Sequence, residues 1–270
     1  MAIEPLSFTE IFESEKPIIG VVHLKALPGS PRFNGSIEEI LEAAIRDAKA
    51  LENGGVDGII IENFWDAPFR KYVREPETIV AMTLIVKEIK SITTLPIGVN
   101  LLRNSAIEAA AIAHFTGGEF IRVNVYIESM ITDSGLIEPA APILLRYLKR
   151  INAKIGILAD INVKHAAPIA NRDIVDLAHD AFSRGLATAI IITGERTGQP
   201  PNYELLKKLK EENISPVLIG SGLSAKTIDL LKYADGAIVG TYFKVDGIIR
   251  NQVDEKRVSH LINLVKERFR

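Results

Sequence analysis

Pro216–Lys244, PVLIGSGLSAKTIDLLKYADGAIVGTYFK, is the stretch that decides the fold. Val217–Ile219 is a short apolar run that suits a strand buried on both faces. Gly220-Ser221-Gly222 turns the chain, and Ser224 is placed to cap a helix over Ala225–Lys232. Ala237–Val239 returns as a second strand and turns again at Gly240-Thr241. Two adjacent parallel strands that each end in small residues present backbone N–H groups as a cradle for an anion. In an eight-stranded α/β barrel the loops after strands seven and eight commonly hold phosphate. The pattern therefore predicts six strands upstream.

Six such strands can be read from the preceding chain: Ile18–His23, Gly58–Glu62, Ile97–Leu101, Phe120–Val125, Ile155–Ile161 and Ala189–Thr193. Amphipathic segments separate them, beginning near Ser36, Glu77, Ser105, Pro139, Arg172 and Tyr203, and Lys256–Phe269 closes the chain. Ser7 and Glu10 match a capping box for a short helix that could plug the bottom of a barrel. Uninterrupted strand–helix alternation predicts a single (β/α)8 TIM-barrel domain spanning residues 1–270. Loop lengths agree. Connections into the strands are tight, as at Gly185-Leu186. Connections out of them are long at Leu24–Gly35, Asn63–Pro76, Tyr126–Glu138 and Gly194–Asn202. That places the spare chain on the C-terminal face, where barrels carry their sites. A doubly wound sheet would carry a glycine fingerprint after its first strand, and Val21-Val22-His23-Leu24-Lys25 has none.

The composition narrows the function classes. The 270 residues carry a net charge of −2, which favours neither nucleic acid nor an anionic membrane. Cysteine is absent, so disulfides and thiol catalysis are excluded. No apolar run approaches the ~18 to 20 residues needed to span a bilayer. The acidic N-terminal stretch lacks a basic, apolar leader, so a cytoplasmic protein is expected.

Parity selects the candidate chemistry, because alternate residues of a strand share a face. Glu62, Asn100, Arg122, Asn124 and Asp160 each close an apolar run. Turned inward, they would converge beneath the cradle. The competing reading is a buried polar network in which Arg122 pairs with Glu62 or Asp160. Lys164 and His165 follow Asp160 and offer an amine and an imidazole, or a plain anion contact and a loop histidine. His23 ends strand one, facing substrate or bonded to a neighbouring strand end. Thr193 opens a loop, Thr193–Pro201, that is positioned to reach over a ligand. A divalent metal held by Asp160 with His165, His23 or Glu62 is chemically open, but no ligand spacing here is diagnostic, and no cofactor is implied. Phe64, Trp65, Phe69, Arg70, Lys71, Tyr72 and Arg74 read as a lid or a subunit interface sooner than as a nucleic-acid surface.

Several of these segments together resemble the BtpA family, also called BtpA/SgcQ. They are Ile19–Leu24 with Leu27–Pro31, Glu62-Asn63, Asp160–Ala166, Thr193–Pro201, Gly220–Gly222 and Val239–Thr241. The resemblance covers nearly the whole chain and implies a phosphate-binding TIM barrel. The family takes its name from photosystem I biogenesis, although similar proteins occur in organisms without photosynthesis. The resemblance implies no particular reaction.

The expectation is an enzyme acting on a small phosphorylated metabolite, such as a sugar phosphate or a nucleotide-derived compound. Gly220, Ser221, Gly222, Gly240 and Thr241 would hold the phosphate. Asp160 or Glu62 would be the base and Lys164 or His165 the acid. Arg122, Asn100 and Asn124 would orient the substrate or stabilise an oxyanion. A non-catalytic membrane-complex biogenesis factor and a phosphometabolite-binding protein are the alternatives. A homo-oligomer is compatible with either class.

Overall fold

The strands read from the sequence close on one another. The computed structural model describes residues 3–162, 165–194 and 198–270. Its barrel strands are β1 (Ile18–His23), β2 (Gly58–Glu62), β3 (Ile97–Asn100), β4 (Phe120–Val123), β5 (Gly156–Asn162), β6 (Ala189–Ile192), β7 (Val217–Ile219) and β8 (Gly236–Val239). All neighbouring pairs are parallel, and β8 returns to β1 with Ile18 opposite Ala237. The fold is a TIM barrel.

Strand parity sorts the apolar residues into two cores. Ile19, Val21, Ile60, Phe120, Leu158, Ile191, Leu218 and Ile238 pack inside the barrel. Ile18, Val22, Ile59, Ile61, Ile121 and Ile157 face outward against the helices. Burying each such side chain contributes roughly 1.5–3 kcal/mol before entropy is counted. The inner core is completed from below by α1 (Phe8–Ile11), whose Ser7–Glu10 capping box forms as the sequence suggests. Glycines make the space for it. A Cβ at Gly98 would stand 2.1 Å from Phe120, and one at Gly156 would stand 2.2 Å from Ile11. Phe12 lies edge-on to Phe120, with ring centroids 5.4 Å apart.

The outer helices are α2 (Ile37–Asn53), α3 (Pro76–Ile92), α4 (Ala106–Thr116), α5 (Ala141–Ile151), α6 (Ile174–Ser183), α7 (Tyr203–Glu211) and α8 (Glu255–Phe269). Ser36, Asp173, Asn202 and Asp254 cap four of them by accepting a backbone N–H.

Two local expectations change. No α-helix forms over Ala225–Lys232, and a 3-10 helix at Ile228–Tyr233 takes its place. Thr227 Oγ1 accepts from Ser224 N and donates to the Gly222 carbonyl. The chain is still turning at the residues where the helix would have begun. The loops after β4 and β5 also contain strands that hydrophobic periodicity missed. Met130–Thr132, Gly135–Ile137 and Ala166–Pro168 form a small antiparallel sheet over that side of the barrel mouth. The turn residues Asp133-Ser134-Gly135, with Gly135 at φ 89°, were the available signal.

Candidate active site

Inward parity carries every polar strand end to the mouth of the barrel. Glu62, Asn100, Arg122, Asn124 and Asp160 are all buried there. Their surroundings divide them into two groups.

On the β3–β5 side the polar groups bind one another. Arg122 donates from Nε and Nη2 to the two oxygens of Asp160, at 3.0 and 3.1 Å. Asn124 Nδ2 gives Asp160 a third hydrogen bond, and Asn100 Nδ2 donates to Asn124 Oδ1. Burial alone would lower the Arg122 pKa, but the charge and hydrogen bonds of Asp160 more than offset it, and the guanidinium is held above its usual value. Arg103, which sequence parity did not single out, enters the same region from the β3 loop. Its guanidinium is within 3.4 Å of Asp133 in the small sheet, and its Nη2 donates to the His165 carbonyl. Burial pushes its pKa down. No strand periodicity applies to Leu102-Arg103-Asn104, so its inward placement had no signal in the sequence.

The β7–β8–β1–β2 side holds an open cleft of about 240 Å³. Glu62, His23 and Arg122 line one part of it, and the Gly220–Ser224 and Gly240–Tyr242 turns line the rest. The Glu62 carboxylate makes no hydrogen bond among the described residues. Its Oε1 lies 4.0 Å from His23 Nε2. The imidazole rests against Phe64, with ring centroids 4.6 Å apart. Gly240 leaves it that room, since a Cβ there would stand 2.7 Å from His23 Cε1.

The two glycine turns are braced from behind. Gly222 has φ 74°, and a Cβ on it would meet Pro200 N at 2.1 Å. The Ser221 hydroxyl accepts from Gly194 N and donates to the Gln199 carbonyl, which ties the β6 loop to the β7 loop. That hydroxyl is therefore engaged by the protein. The backbone N–H groups of Ser221, Gly222, Thr241 and Tyr242 make no hydrogen bond among the described residues. Arg257, from the first turn of α8, also lines the cleft. It lies outside the strand ends that parity could sort.

Among the described residues lining this cleft, Asp160, Asn100, Asn124, Thr193 and His165 are not present. The first three stand in the adjoining network. Thr193 is buried beneath Gly220, and His165 is exposed with φ 56°. Lys164 and the Glu195-Arg196-Thr197 segment lie outside the described residues. No group of three or more His, Asp or Glu among the described residues is arranged to hold a metal ion.

The rim is built by the β2 loop. Asp66 Oδ1 accepts from Leu27 N and its Oδ2 accepts from Asn63 Nδ2, while Asn63 Oδ1 accepts from Leu102 N. This clamp joins the loops after β1, β2 and β3. Burial pushes the Asp66 pKa up to about 6, against the lowering effect of the Leu27 and Asn63 hydrogen bonds. Arg70 pairs with Glu75, and Arg74 with Glu108 of α4.

A family model described as the BtpA family matches residues 14–267. The chain belongs to the BtpA family. It is 48% identical to an uncharacterized protein of Pyrococcus furiosus, over 93% of this chain and 95% of that one. It is 44% identical to the photosystem I biogenesis protein BtpA of a Synechocystis strain, over 96% of this chain and 91% of that one. Among solved structures this BtpA-family barrel is similar to N-(5'-phosphoribosyl)anthranilate isomerase from Pyrococcus furiosus. The TM-score is 0.55 and the identity 13%, with 93% of this chain and 99% of that one covered. That likeness concerns the fold. No helix among the described residues is long and apolar enough to cross a membrane.

Proposed function

We propose that this protein is an enzyme that transfers protons on a small phosphorylated metabolite. The reading is carried by one observation. A single cleft joins unpartnered backbone N–H groups at the β7 and β8 turns to the Glu62 carboxylate, which makes no hydrogen bond among the described residues and has the His23 imidazole 4.0 Å away. The N–H groups of Ser221, Gly222, Thr241 and Tyr242 would hold the phosphoryl oxygens. Glu62 would take a proton from the ligand, and His23 beside it would receive or return one. Arg122 Nη1 makes no hydrogen bond among the described residues, so it is placed to steady negative charge developing on a ligand oxygen. Asp160 acts through Arg122, because both of its oxygens already accept hydrogen bonds. Proton transfer of this kind is shared by isomerisation, aldol-type cleavage and glycosidic-bond chemistry.

The biogenesis-factor alternative requires an exposed apolar patch. Ile131 and Leu136 are cross-strand partners on the outer face of the small sheet, and both are exposed. Val80 and Leu84, one turn apart on α3, and Phe115 on the neighbouring α4 are exposed as well. The enzyme reading is preferred because of the cleft and its Glu62, not for want of exposed apolar side chains.

A thermal-shift screen of sugar phosphates and nucleotides tests the proposal, since a ligand stabilises the fold by mass action. A phosphorylated compound should raise Tm where its dephosphorylated counterpart does not. Glu62→Gln should keep that shift and lose turnover by about 10²–10⁴-fold. If no phosphorylated compound stabilises the protein, the reading fails.

A further inference from the structure

The backbone cradle carries no net charge, whereas a phosphoryl group does. Among the described residues lining the cleft, the lysine and arginine side chains are Arg122 and Arg257. Arg122 spends Nε and Nη2 on Asp160, which leaves it Nη1 alone and no fork for a phosphoryl group. Lys244, close by in sequence, is buried and bonded to Asp47. Arg257 is differently placed. Its Nε donates to the Tyr242 carbonyl at 2.7 Å, and its guanidinium lies 4.7 Å from the Tyr242 ring centroid. Gly247 passes close behind it, since a Cβ there would stand 3.5 Å from Nη2. One N–H and one ring face thus fix the plane of the guanidinium. Neither Nη1 nor Nη2 has a hydrogen-bond partner, and no carboxylate pairs with Arg257, among the described residues. A guanidinium held in one plane with both terminal nitrogens unspent matches two oxygens of one phosphoryl group.

We propose that Arg257 is the charge partner of the ligand's phosphoryl group, and that the ligand is a phosphate monoester. This rests on the phosphate reading of the cleft. A monoester offers three terminal oxygens and a second negative charge near neutral pH. The two Nη groups can take two of those oxygens while the N–H groups of Gly222 and Thr241 take the third. A diester has two non-bridging oxygens and a single charge, so it would leave part of this donor set unmatched and buried.

The test is isothermal titration calorimetry of the full chain with methyl phosphate and with dimethyl phosphate. It is run on the wild type, Arg257→Gln and Arg257→Lys, with thermal melts confirming that each variant is folded. Wild type should bind methyl phosphate and bind dimethyl phosphate at least about tenfold more weakly. Arg257→Gln should weaken methyl phosphate by about tenfold to a hundredfold. Arg257→Lys should recover part of that loss, because a point charge replaces the planar fork. Unchanged affinity in both variants overturns the role of Arg257 and leaves the phosphate cradle standing. Equal affinity for the two esters in wild type overturns the monoester class. Binding of neither ester by wild type overturns the phosphate reading itself, and this inference with it.

Discussion

The two halves of the barrel mouth are built from the same kind of residue and do different work. On the β3–β5 half, Arg122, Asp160, Asn124 and Asn100 use their polar atoms on one another. On the β7–β2 half, Glu62 and the backbone of the two glycine turns keep theirs for whatever enters the cleft. A carboxylate ending a barrel strand is therefore not by itself a base. Its neighbours decide, and Asp160 has a guanidinium and an amide where Glu62 has an imidazole 4.0 Å away.

The contrast is most easily broken at Asp160. Asp160→Asn leaves the Arg122 guanidinium buried without its counter-charge, which costs about 3–5 kcal/mol of folding stability. Urea unfolding should show it as a lower midpoint with an unchanged slope. A loss within experimental error would mean that the network is not structural.

The rim between the halves should respond to pH. The Asp66 pKa is about 6 in the folded protein, against an ordinary 3.8. The folded state therefore binds the proton more tightly than the unfolded chain does. The contribution is full below about pH 4 and is lost as pH rises through 6, at up to about 1.4 kcal/mol per pH unit in between. Unfolding free energies measured from pH 4 to 6 should fall with that slope in wild type and level off above it, and Asp66→Ala should flatten the fall. An unchanged slope in the variant would assign the pH dependence elsewhere.

Gly240→Ala probes the cradle side. Its Cβ would be driven against the His23 ring, and an overpacked contact of this kind costs about 1–3 kcal/mol. The His23 ring would shift relative to Glu62, so turnover should suffer more than ligand binding; a KM change with kcat unaffected would contradict this. The smallest effect on stability is expected at Glu62→Gln, within about 1 kcal/mol, because the carboxylate makes no hydrogen bond that the amide would forfeit. A thermal melt measures it, and a large destabilisation would show that Glu62 is scaffold after all.

Much of the fold could be read from periodicity and punctuation. Apolar runs gave eight strands, and Ser7–Glu10 and Ser36 gave helix starts, because these signals are local. The helix after β7 was misread because Thr227 takes over the turn that Ser224 seemed to begin. The small sheet was missed because its strands are three residues each, too short for alternation to show.

For the site, the sequence by itself determined which residues reach the barrel mouth, since strand parity fixes the face and the long loops fix the end. Tertiary structure decided which of them remain available. The partners of Asp160 come from β4 and the residue just after it, thirty-eight and thirty-six residues away in the chain, and no local pattern records them. The same holds for Arg257, which reaches the β7–β8 turns from a helix that sequence periodicity treats only as packing. The glycine turns placed the open backbone N–H groups, and only long-range contacts brought Arg257 beside them.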